Sequence, residues 1–291
     1  MGCLFAILGG LATTPANAAS LLYVEASHKN LQTGATGGEN DGGPGGPGDS
    51  YIATTSGPTL DGSLPATGAA FADDDGVFWA SASVESIEPY SIDATAVWED
   101  ELTREAGSNA IFANITGATL ELIDWGAFLD TDLIAGMRFE AVLNGETVLL
   151  HETTLSGRGG EPDSFSLDTP SELPGSIDTY SKFLADGSDY IYSATYSLAP
   201  ISAAIDLSGI AVGESFTIRF IATVFASNAG GETFAKAWFR DPISQSGGIS
   251  VSYGNLAGSV ATVPAPAALW LMAAGIAPLA AAARRRKHRA A

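Results

Sequence analysis

The sequence predicts an all-β protein: a jelly-roll-like β-sandwich between an N-terminal signal peptide and a C-terminal transmembrane helix. Three observations lead there. Short segments in which every second residue is apolar recur along the chain, the period of a half-buried strand. Clusters of Gly, Asp, Ser and Pro separate them and favour turns. Helical periodicity is confined to residues 178–186, where a short helix is expected. Many short strands with such turns suit a sandwich, and residues 19–262 are long enough to form one as a single domain.

Leu21 to Ala26 opens the fold as a first strand. Residues 34–50, GATGGENDGGPGGPGDS, have no large apolar side chain and no period, so they predict a flexible loop or linker. From about Phe78 the texture becomes β. Residues 91–98 place Ile92, Ala94, Ala96 and Trp98 on one face, and residues 119–123 alternate in the same way. The clearest element is 137–152, MRFEAVLNGETVLLHE. Asn144-Gly145 suits a type I′ turn, whose two central residues need positive φ. Pairing across it sets Phe139 opposite Leu150 and Ala141 opposite Val148, with Arg138 facing His151 on the other side. Further strands are expected over 190–198, 203–207, 214–225, 233–240 and 248–253. In the third of these, Phe216, Ile218, Phe220, Ala222 and Val224 share a face.

Charge is sparse and lopsided. The chain carries 33 acidic and 13 basic residues, a net of −20. Five of the basic residues lie in 263–291, which has no acid, so the region before it has 33 acidic against 8 basic residues, a net of −25. Such a surface repels phosphate backbones and argues against nucleic acid as a partner. It suits solubility or counter-cations such as calcium. Cys3 is the only cysteine, so neither an internal disulfide nor a thiolate metal cluster can form.

Both ends read as processing segments. Residues 1–18, MGCLFAILGGLATTPANA, have a short apolar core and end in Ala16-Asn17-Ala18, the small-x-small pattern of a signal peptidase site. The segment is too short to span a bilayer. At the other end, no charge occurs between Val263 and Ala283. As a helix this stretch would be about 31 Å long, close to the thickness of a hydrocarbon core. Arg284, Arg285, Arg286 and Lys287 follow as a basic stop, which the positive-inside rule keeps in the cytoplasm. Everything before the helix then lies outside, in agreement with the signal peptide. Pro264 and Pro266 hold the chain extended ahead of the span, where a processing enzyme can grip it.

Val263, Pro264, Ala265, Pro266 and Ala267, the apolar helix over 268–283 and the basic stop over 284–289 together resemble the PEP-CTERM class of bacterial sorting signals. The closest form is VPLPA-CTERM, with Ala265 where that form usually has Leu. The resemblance implies a Gram-negative source and processing by an exosortase-type membrane enzyme. It also implies transient anchoring in the inner membrane, then passage to the cell surface or the extracellular polysaccharide matrix. Val263 to Ala267 would serve as recognition residues, and the protein would be the enzyme's substrate. A plain C-terminal anchor that is never cut is the alternative.

The body offers few signs of chemistry. His151-Glu152 lacks the second histidine of a zinc protease, and no G-x-S-x-G occurs. Gly48-Asp49-Ser50-Tyr51 is similar to the start of a GDSL-type hydrolase block, but no D-x-x-H accompanies it. Carboxylates cluster at Asp73-Asp74-Asp75, at Glu99-Asp100-Glu101 and from Asp124 to Asp132. In so acidic a chain these read first as turn residues and strand ends. Asp73, Asp74 and Asp75 are the candidate calcium ligands, without the spaced alternation of an EF loop. Trp79, Trp98, Trp125 and Trp238 are core residues or a sugar-stacking platform. The expectation is therefore a non-catalytic structural or adhesive module associated with exopolysaccharide, with no catalytic residue assigned. The alternative is a secreted carbohydrate-binding or carbohydrate-active domain.

Overall fold

The computed structural model describes residues 21–254 apart from 47, 58–65, 86–87, 126–131, 160, 174–177, 185–190, 232 and 240–247. The expected signal peptide and C-terminal helix lie outside the described residues. The described residues form strands and turns, with no helix among them. In chain order the strands are β1 (Leu21–Asn30), β2 (Thr36–Gly43), β3 (Ser50–Ser56), β4 (Thr67–Asp73), β5 (Val77–Glu85), β6 (Tyr90–Thr103), β7 (Ala110–Ile115), β8 (Ala118–Asp124) and β9 (Asp132–Leu143). They continue as β10 (Glu146–Arg158), β11 (Glu161–Ser171), β12 (Asp178–Leu184), β13 (Tyr192–Leu198), β14 (Ile201–Asp206), β15 (Ser215–Asn228), β16 (Thr233–Trp238) and β17 (Ile249–Gly254).

Two antiparallel sheets face each other across one core, a sandwich-like arrangement. The seven-stranded sheet runs β11-β10-β9-β15-β6-β1-β2. The ten-stranded sheet begins β3-β4-β5, then continues as three columns, each made of two collinear strands. β16 and β17 share one edge of β5, opposite its residues 81–85 and 77–78. Next come β8 and β7, then β13 and β14, with β12 outermost beside β13. Thr116 holds the break between the collinear strands: its N–H and hydroxyl donate to Gly248 O at 3.0 and 2.9 Å, and its Oγ1 accepts from Gly248 N at 2.8 Å.

Strand alternation supplies the core. β5, β6 and β15 each bury every second side chain. Alanines dominate much of the inner faces, and aromatic rings fill the centre. Phe220 on β15 lies 6.1 Å from Trp98 on β6, 6.0 Å from Phe139 on β9 and 6.4 Å from Phe78 on the opposing sheet, centroid to centroid. These spacings fall within the favourable range for ring pairs.

Three sequence expectations are corrected. The first concerns the glycine-rich stretch 34–50, which is not a loop throughout: Thr36–Gly43 is strand β2, paired with β1 from Leu22↔Gly43 to Lys29↔Thr36. The strand approaches β1 so closely that a Cβ on Gly42 would lie 2.6 Å from Leu22 O, and one on Gly38 would collide with Ala26 O. Glycine here permits the pairing instead of preventing it.

The second concerns the 137–152 hairpin. Its turn is as expected, with Asn144 at φ 51° and Gly145 at φ 84°. Its register is not. A bulge after Thr147 pairs Leu149 with Ala141, His151 with Phe139 and Glu152 with Arg138. Val148 is thereby left exposed, while His151 and Thr153 are turned into the interior. The third concerns 178–186, where a short helix is expected. Residues 178–184 are instead an edge strand, paired along its whole length with β13. Strands β3, β4, β7 and β11 were likewise not anticipated.

Truncating the ring at the centre tests this account of the core. Phe220→Ala is expected to cost roughly 3–5 kcal/mol in chemical denaturation, because three ring contacts leave a cavity behind; Phe220→Leu should cost clearly less.

Candidate functional site

The sorting motif at Val263, Pro264, Ala265, Pro266 and Ala267, the stop at Arg284, Arg285, Arg286 and Lys287, and the cleavage residues Ala16 and Ala18 lie outside the described residues. Among the described residues no helix is long and apolar enough to cross a membrane. The remaining candidates are placed by the fold, except Asp130, which lies outside the described residues.

Asp73, Asp74 and Asp75 make the tight turn from β4 to β5. Asp73 Oδ1 accepts from Val77 N at 2.8 Å, and Gly76 takes φ 81° to complete the turn. Asp74 Oδ2 accepts from Gly48 N at 2.7 Å, and Asp74 N donates to Asp49 O at 3.1 Å. The turn is thus stitched to the chain leading into β3. Burial pushes the Asp73 carboxyl up to about 6; the Val77 N–H works against this, and the neighbouring Asp75 and Asp74 carboxylates add to it. Among the described residues no three His, Cys, Asp or Glu side chains come together in a way that could hold a metal ion.

Strand alternation splits the other acidic runs between the two faces. Along β6 the strand period sends Asp100 into the interior and leaves Glu99 and Glu101 outside, with Glu99 bound to Arg219. Asp124 at the end of β8 also points inward. A pair that sequence reasoning missed lies on the outer face of the seven-stranded sheet, Asp93 on β6 and Glu25 on β1. Burial raises the Asp93 carboxyl, and the nearby Glu25 carboxylate adds to the rise. Glu25 borders a shallow open groove of about 270 Å3 over β1 and β2, lined also by Gly37 and Gly38.

The tryptophans divide between core and surface. Trp98 is in the core. Trp79 lies part-exposed on the outer face of the ten-stranded sheet, which is studded with hydroxyls; Trp238 points to the same side but is buried, at 6 % exposure. Ile52, Phe71 and Trp79 form one row across β3, β4 and β5, the two rings 5.9 Å apart and within 18° of parallel. The next rows carry Ser81 beside Trp238 and Thr119, then Ser83 beside Lys236 and Glu121. Lys236 Nζ sits 4.4 Å from the Trp238 ring centroid. Trp125, 40 % exposed, leans on Phe234 with centroids 6.2 Å apart.

The two body histidines have separate settings. His28 Nδ1 lies 2.6 Å from Thr55 Oγ1, with the ring edge-on to Tyr90. Ser50 begins β3 and is exposed, so Gly48-Asp49-Ser50-Tyr51 is a strand entry. His151 is fully buried. Its Nε2 faces Thr153 Oγ1 at 3.2 Å and Tyr196 OH at 3.5 Å. Burial makes the Tyr196 phenol harder to ionise; the hydrogen bond to Thr153 works against this, and the Asp178 and Glu172 carboxylates add to it. The only sequence sign of this cluster was two polar residues, His151 and Thr153, two apart in a hairpin strand.

Asp73 generates a test with a defined sign. Its folded-state pKa is above the unfolded value of 3.8, so stability is lost as pH rises through 3.8 to about 6. Asp73→Asn, whose amide oxygen can still accept from Val77, is expected to raise the melting temperature at neutral pH. The gain should vanish near pH 4. A calcium-dependent rise in the wild-type value that this substitution abolishes would assign the ion to the turn. No protein-family model matches the chain, and no curated protein matches it.

Proposed function

We propose that this chain is an exported cell-surface or extracellular-matrix protein of a Gram-negative bacterium and the substrate of an exosortase-like sorting enzyme. Its sandwich acts as a non-catalytic structural or adhesive module associated with exopolysaccharide. The observation that carries the reading is the coincidence at one end of the chain of Val263-Pro264-Ala265-Pro266-Ala267, an uncharged run to Ala283 and the Arg284–Lys287 stop, behind a strongly acidic body. The inner membrane is a transient partner, and the acidic body makes nucleic acid an unfavourable one. Repeated crossing of the chain between the two sheets supports a jelly-roll-like kind of sandwich.

A carbohydrate-binding module is the second reading, and one observation favours it. The outer face of the ten-stranded sheet pairs aromatic rings with ladders of small hydroxyl side chains, a surface suited to stacking on sugar rings and bonding their hydroxyls.

Sorting and plain anchoring differ in the mass of the mature protein. In the native host the wild type is expected to lose the residues after about 263–267 and reach the surface or matrix. Replacing Arg284, Arg285, Arg286 and Lys287 with Ala should leave it uncut and mislocalised. Full-length wild-type protein in the membrane would favour the anchor, and full-length protein in the cytosol would reject export. For the glycan face, Phe71→Ala is expected to weaken retention on the host's isolated exopolysaccharide by roughly three- to tenfold in affinity electrophoresis.

A further inference from the structure

The seam where β10 faces β12 and β13 contains polar atoms that the surrounding protein leaves unsatisfied. His151 Nδ1, Asp178 Oδ1 and Thr169 Oγ1 are all buried without a hydrogen-bond partner. Native proteins rarely leave such atoms bare, and two of them, on His151 and Asp178, belong to groups that sense each other's charge across the seam. The bulge in β10 is what aims His151 into this seam. Tyr196 comes from β13, Asp178 from the start of β12, Glu172 from the end of β11, and Phe139 faces His151 from β9. The remaining charged neighbours, Lys182 on β12 and Asp163 on β11, face each other at 3.9 Å, with Asp163 almost fully exposed.

A neutral imidazole is tolerated in this setting. A cationic one needs water or a bonded counter-charge. Burial lowers the proton affinity of His151, outweighing Asp178, the Ser171 backbone and Glu172, which favour the charged form. A proton on His151 therefore brings a demand for solvent. β12 can admit it at least cost: it is the outermost strand of its sheet and pairs only with β13. Across the seam, Tyr180 OH donates to Phe165 O at 3.3 Å and Lys182 meets Asp163, while Tyr180 and Phe183 stay exposed.

We propose that this seam is a proton-operated latch: a proton taken up by His151 releases edge strand β12 from the sandwich and opens the seam to water. The sign follows from the depressed folded-state affinity. The closed state is fully stable above the unfolded histidine value of 6.5 and loses stability as pH falls below it.

Hydrogen exchange on the folded protein tests the latch, with rates converted to protection factors to remove the intrinsic pH dependence. Between about pH 7.5 and pH 5.5, protection over residues 178–184 is expected to fall several-fold, up to about tenfold, while that of β15 holds. His151→Gln, which keeps a neutral polar side chain, should abolish the difference. Unchanged β12 protection in the wild type, the same fall in His151→Gln, or an equal fall in β15 would each overturn the latch. If His151→Gln fails to fold, NMR of the wild-type imidazoles decides. The His151 resonance must titrate in step with the loss of β12 protection, and its titration with β12 still protected overturns the proposal.

Discussion

The two sheets are held together at the ring of Phe220. It is the central side chain of the central strand of one sheet, and it reaches both neighbouring strands and the opposing sheet. Around it the inner faces are lined largely by alanine: Ala94, Ala96, Ala222 and Ala226 on one side, Ala80, Ala82, Ala235 and Ala237 on the other. Small side chains let two backbone layers approach closely, but they bury little area each. A few large rings must then supply much of the packing, which concentrates the cohesion of the fold in a small region.

The same economy of side chains recurs where rings rest on glycine. Phe225 lies over Gly136 and Phe165 over Gly157, positions where an added Cβ would collide with the ring. Gly42 and Gly38 go further, since their neighbours across the strand pair are backbone atoms that cannot swing away. The abundance of glycine thus has a partly structural origin in close approach between strands.

Much of the β character could be read directly, and the reasons for failure are specific. Period-2 alternation identified residues of β6 and β15 because each has one face in the core and one outside. The Asn144-Gly145 turn was legible because positive φ restricts residue choice so strongly. Strand β2 was not legible, because a glycine strand has no side-chain period to read. The hairpin register failed at the bulge. Its inward polar residues, His151 and Thr153, are met by Tyr196 from the other sheet, a contact no local pattern encodes. The carboxylate runs misled for a simple reason: neighbours along a strand point to opposite faces, so Glu99 and Asp100 never meet the same solvent.

The broken columns of the ten-stranded sheet have a mechanical consequence. The interruptions after Ile115, Leu198 and Trp238 fall on one transverse line, and β5 is the strand whose ladder bridges it, holding β16 on one side and β17 on the other. Tension along the strands must pass that line through the unbroken backbones of β3, β4 and β5, the covalent links and the Thr116–Gly248 clasp. Under load the sheet would part along that line into two blocks held together by β3, β4 and β5.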